Sequence, residues 1–102
     1  MSAGLVDLST KQRDLVLAIL RAHLPNGARV WVFGSRANGC AKPFSDLDLA
    51  IDAGRELTLD EMGVLSEAFS ECDLPWKVDL LDWQAIDKGF ARQIESGRVA
   101  LI

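Results

Sequence analysis

The sequence predicts a small α/β (α+β) fold, a short mixed sheet flanked by helices. Three observations carry this expectation. Two Ser/Thr-x-x-Gln/Glu capping boxes, at Ser9–Gln12 and Thr58–Glu61, each open a stretch with apolar residues at helical spacing. Three short segments, RVWVF, DLDLAI and WKVDLL, have the branched, aromatic or alternating character of strands. The 102 residues suit one domain, 1–102, with a single modest core.

The elements follow in chain order. Leu15, Val16, Ile19, Leu20 and Leu24 recur at helical intervals after Ser9 and are expected to face the core. Pro25-Asn26-Gly27 ends that helix, and His23 suits the negative end of its dipole. Arg29 to Phe33 reads as a strand that stops at Gly34-Ser35. Arg36 to Ser45 holds Asn38, Gly39 and Pro43, so it reads mostly as loop with one helical turn at its start. Asp46 to Ile51 alternates with period two: Leu47, Leu49 and Ile51 point one way, Asp46 and Asp48 the other. The helix after Thr58 carries Leu59, Met62, Leu65 and Phe69 along one stripe to about Glu71. Trp76 to Leu81 reads as a third strand. Asp82 is a candidate cap for a last helix with Ile86, Phe90 and Ile94 on one side, stopped by Gly97. Val99 to Ile102 is a short strand or a packing tail.

Composition excludes several classes. Hydrophobic residues make up 49% and charged residues 25%, the balance of a folded globular chain rather than a disordered one. No apolar run reaches the roughly 18 residues that span a membrane, and Met1 to Asp7 lacks the features of a signal peptide, so a cytoplasmic protein is expected. Cys40 and Cys72 form no CxxC, and with His23 the only histidine no zinc cluster can be built. The net charge of −4 disfavours a grip on long nucleic acid. Trp31, Trp76 and Trp83 are expected in the core, with an aromatic patch for a partner as the alternative.

The chemistry is expected in residues 34–52, GSRANGCAKPFSDLDLAID. Asp46 and Asp48, two apart on one strand, leave the same face with Cα atoms about 7 Å apart. The strand's other face is Leu and Ile, so the carboxylates stand on a firmly held support. Hard oxygen ligands of this kind suit Mg²⁺, which shares its coordination with waters and substrate phosphates. Gly34 lets the backbone approach a phosphate closely. Exposed N–H groups at the turn, with the Ser35 hydroxyl, make an anion cradle, and Arg36 is placed to neutralise triphosphate charge.

Gly34-Ser35, ten residues, then Asp46-Leu47-Asp48 resembles the G-S, spacer, D-x-D pattern of the DNA polymerase β nucleotidyltransferase superfamily. Phe33-Gly-Ser-Arg-Ala-x-Gly39 with Ser45-Asp-Leu-Asp-Leu49 is most similar to prokaryotic minimal nucleotidyltransferases. That group includes MntA-type antitoxins, which act beside a HEPN-domain ribonuclease toxin. The family needs a third carboxylate on a later strand. Asp79 matches as a mid-strand residue, and Asp82 is the competing choice.

The resemblance implies a palm-like nucleotidyltransferase fold. It implies that Gly34 and Ser35, with Arg36 more weakly, hold the phosphates of ATP, and that Asp46, Asp48 and Asp79 are catalytic and hold two Mg²⁺ ions. Lys42 is a further candidate for a phosphate. The implied reaction moves AMP from ATP to a hydroxyl supplied by a partner, foremost a HEPN-type toxin that is modified and thereby neutralised. A small-molecule acceptor with the site completed by a partner subunit is the alternative, as is an antitoxin that masks its toxin without catalysis. Association with a second copy of the chain stays open.

Overall fold

The computed structural model describes residues 8–38 and 45–102. The expectations for Gly39, Cys40 and Lys42, and for Met1 to Asp7, lie outside them. The elements are α1 (Thr10–His23), β1 (Arg29–Phe33), α2 (Ser35–Asn38), β2 (Leu47–Asp52), α3 (Leu59–Ser70), β3 (Val78–Asp82), α4 (Lys88–Glu95) and β4 (Val99–Ala100).

Both capping boxes form. The Ser9 hydroxyl accepts from the Gln12 N–H while the Gln12 side chain accepts from the Ser9 N–H, and Thr58 and Glu61 do the same for α3. Val16 and Leu20 of α1 are fully buried, and Leu65 and Phe69 of α3 pack into the same core. Leu59, expected on that stripe, is 92% exposed. It is the first residue of α3, before the helix reaches the core. The last helix also differs from expectation. Its N-cap is Asp87, whose carboxylate accepts from the Phe90 N–H at 3.0 Å. Asp82 instead ends β3 and caps the turn behind it, so the cap of α4 falls five residues later, at Asp87. Phe90 stays 40% exposed, and only Ile94 of α4 is deeply buried.

The sheet runs β3-β2-β1-β4. β1 pairs antiparallel with β2 and β4, and β2 pairs parallel with β3 through the α3 crossover. Strand alternation then sorts the side chains. On one face Val30, Val32, Leu47, Leu49 and Ile51 meet α1 and α3 and form the core. On the other stand Trp31, Phe33, Asp48, Ala50, Asp79 and Leu81, by register. There Phe90 of α4 meets Phe33 edge-on, with ring centroids 6.4 Å apart. Trp31 tilts against Trp83 at 5.4 Å, and the Arg98 guanidinium lies 3.9 Å from the Trp31 ring centre and 4.7 Å from that of Trp83. Trp76 joins the main core. The three indoles are therefore packing elements. Among the described residues no helix is long and apolar enough to cross a membrane.

Candidate active site

The turn after β1 is built by Gly34. Its φ is +75°, a left-handed conformation that side chains disfavour. A Cβ at Gly34 would also run into the Asp48 Oδ2. Both demands are met only by glycine, and they bring an exposed backbone turn against a carboxylate. Ser35 starts α2 directly behind it, and the Ala37 N–H closes the turn on the Gly34 carbonyl at 3.0 Å.

Asp48 lies opposite Phe33 in the antiparallel pair and opposite Asp79 in the parallel pair. Neighbouring strands are about 4.8 Å apart, so two carboxylates on one face at matched register must meet. Asp48 is half-buried, and its carboxyl is pushed above the ordinary aspartate range. Burial is the largest cause, followed by the charges of Asp79 and Asp46 and a hydrogen bond with the Asp79 side chain. Asp46 is exposed, just before β2 begins. Lys77 Nζ lies 3.3 Å from Asp79 Oδ1, but both side chains are well exposed, at 73% and 44%. Such a pair is weak and readily exchanged. It does not lock Asp79 away.

Among the described residues no three acidic, histidine or cysteine side chains form a ready-made cage for an ion. The chemistry of the donors nonetheless fits magnesium. Asp48 and Asp79 offer hard carboxylate oxygens held together against their mutual repulsion, and the charge of exposed Asp46 acts on the same group. Mg²⁺ prefers a few carboxylates plus waters and phosphate oxygens to a closed protein cage.

The structure separates Asp79 from Asp82. Three positions apart on one strand, they face opposite sides of the sheet. Asp82 is 9% exposed and accepts from the Leu57 N–H at 2.7 Å and the Gln84 N–H at 3.1 Å, which fixes the loop before α3. Asp52, at the far end of β2, accepts from the Gly54 N–H and the Gln84 side-chain amide, both at 2.9 Å. Arg36 differs from its expected place. It is only 4% exposed, its Nε donates to the Ser45 carbonyl at 3.0 Å, and its guanidinium lies 4.3 Å from the Trp76 ring centre. That side chain braces the protein interior.

The family profile described as polymerase beta, nucleotidyltransferase matches residues 7–102. The chain belongs to this family. The nucleotidyltransferase is 43% identical over 96 residues to the probable protein adenylyltransferase MntA of Haemophilus influenzae, a match that spans 94% of this chain and 83% of that protein. It is a homologue of that protein and, by its family, a nucleotidyltransferase. Its fold is shared with the crystal structure of a toxin–antitoxin with AMP-PNP (TM-score 0.77, 23% identity, 88% of this chain and 72% of that one). It is shared as well with a chain of the solved structure of a tri-AMPylated Shewanella oneidensis HEPN toxin in complex with MNT antitoxin (TM-score 0.68, 23% identity, 88% of this chain and 68% of that one).

Sequence reasoning did not find the anchoring role of Asp82 in this nucleotidyltransferase or the partners of Arg36. Strand parity carried a signal for the first, since residues 79 and 82 cannot share a face. The stack of Arg36 on Trp76 joins positions far apart in the chain and had no local signature.

Proposed function

We propose that this chain is a magnesium-dependent protein adenylyltransferase that transfers AMP from ATP to a hydroxyl, foremost a tyrosine of a HEPN-type ribonuclease toxin, and so neutralises it. The observation that carries this reading is the meeting of Asp48 and Asp79 across the parallel strand pair, directly beside the Gly34 turn. The 43% identity to a probable protein adenylyltransferase supports the acceptor class. The solved toxin–antitoxin complexes of the same fold support the partner class. The setting would be the cytoplasm, where ATP is at hand.

In this reading the backbone of Gly34 and the Ser35 N–H and hydroxyl bind the β- and γ-phosphates. Asp46, Asp48 and Asp79 hold Mg²⁺, which when bound neutralises charge on the phosphates and the leaving pyrophosphate. Asp79, the outermost of the clustered pair, faces the acceptor and takes up its hydroxyl proton. The acceptor oxygen bonds to the α-phosphorus as the bond to pyrophosphate breaks. Positioning and charge neutralisation supply most of the acceleration. Residues 1–102 act as one domain.

The test is co-expression with a HEPN-type ribonuclease and incubation with α-labelled ATP. Label is expected on the toxin, with its ribonuclease activity lost. Asp48→Asn and Asp79→Asn should each lower transfer by at least about 10²-fold, the scale of a lost transition-state contact. Equal labelling by the variants would remove the mechanism. Label on a small molecule alone would shift the acceptor, and neutralisation without label would indicate masking by contact.

A further inference from the structure

The three groups assigned to the reaction come from three separate stretches of chain, and one buried cation touches all of their supports. Arg36 arises from α2, the turn of helix that begins at Ser35. Its Nε holds the carbonyl of Ser45, the residue before Asp46. Its guanidinium faces the ring of Trp76, three residues before Asp79. Both side chains are nearly sealed from solvent, Arg36 at 4% and Trp76 at 8% exposure. A fourth link closes the frame: the Leu47 N–H donates to the Lys77 carbonyl at 2.9 Å, tying the root of β2 to the root of β3.

We propose that Arg36 is a positioning residue, which with Trp76 sets the spacing between the Gly34-Ser35 turn and the Asp46, Asp48 and Asp79 carboxylates without itself touching phosphate. The chemistry of the side chain favours this. A guanidinium is planar, so it can present a face to an indole while an N–H in its plane reaches a carbonyl. An ammonium has no flat face to stack and no fixed N–H direction, so it holds the two contacts less firmly. Without the brace, the start of β2, the start of β3 and the phosphate turn could shift relative to one another. A misplacement near 1 Å costs on the order of 10²-fold in rate.

This inference rests on the adenylyltransferase reading, and its test separates the two. Arg36→Lys, Arg36→Met, Trp76→Leu and Trp76→Phe are assayed below their melting temperatures for transfer of α-labelled ATP. A second readout, independent of any acceptor, is the Mg²⁺ concentration that half-saturates the rise in melting temperature given by a non-hydrolysable ATP analogue. Arg36→Lys, Arg36→Met and Trp76→Leu are expected to lower kcat by about 10²-fold, with KM for ATP within about threefold and a higher Mg²⁺ requirement. Trp76→Phe keeps an aromatic face and should retain most of the activity. Two results would overturn the proposal. One is wild-type kcat and Mg²⁺ requirement in Trp76→Leu. The other is rescue by Arg36→Lys of a defect confined to KM, the mark of a direct phosphate ligand. If wild-type enzyme transfers no label, the parent reading fails, while the Mg²⁺ readout still decides the brace.

Discussion

At the scale of single residues, the site is an arrangement that folding alone would not choose. Gly34 is held at φ +75° with no room for a Cβ beside Asp48, and Asp48 is forced against Asp79. The cost shows in titration. The Asp48 carboxyl is raised by burial and by its acidic neighbours, so between its ordinary and its raised pKa the folded chain binds more protons than the unfolded one. Stability from this group is therefore complete below the ordinary aspartate pKa and falls as pH rises through the raised value. Asp48→Asn removes the ionisation. The variant is expected to melt roughly 2–4 °C above wild type at pH 7 without metal, the site being half-exposed and screened. The gain should vanish near pH 3, and transfer should be lost at every pH. A variant that is less stable than wild type at neutral pH would contradict the strain. The face of Asp48 was legible because period-two alternation fixes which side chains of β2 share a face, and the turn at Gly34 because the strand-like run of β1 stops there. The collision of a Gly34 Cβ with Asp48 was not legible, because it depends on β1 and β2 pairing at one register.

At the scale of elements, the caps and the strand parity set the site. Ser9 and Thr58 were readable as helix starts because a capping box is satisfied by residues three apart. The start of α4 was misread because Asp82 and Asp87 both carry a capping side chain, and only the path of β3 decides between them. Asp82 points to the core side and ties Leu57 and Gln84, while Asp79 points to the side of Asp48. The two aspartates should therefore separate stability from activity. Asp82→Ala leaves two partly buried N–H groups without their acceptor and is expected to cost about 1–3 kcal/mol in urea denaturation. Its transfer rate, assayed where it is folded, should stay within a few-fold of wild type. Asp79→Ala should behave in the opposite way, near wild-type in stability and at least about 10²-fold slower. An exchange of these phenotypes would return the third carboxylate to Asp82.

At the scale of the whole molecule, helix-strand order was readable from periodicity, but the sheet order β3-β2-β1-β4 was not. Val99 to Ile102 was readable as a short strand or a packing tail, but a pairing of two residues is too short to name its partner strand, and the Arg98 stack on Trp31 and Trp83 joins β1 to the last residues of the chain. Once folded, these pieces put the like charges of Asp46, Asp48 and Asp79 on one end of the sheet. A cation and a triphosphate bound there would relieve the repulsion, so ligand and fold should be linked. At a hundredfold excess over its Kd a ligand that binds only the folded chain adds about 2.7 kcal/mol, which for a chain of this size corresponds to a rise on the order of 10 °C in Tm. Mg²⁺ with a non-hydrolysable ATP analogue is expected to give that rise. Analogue with EDTA should give almost none, since the triphosphate would then meet bare carboxylates. Asp48→Asn should start from a higher Tm and gain little from the same ligands. An equal rise with EDTA present would mean that the nucleotide is held without the metal and away from the three carboxylates.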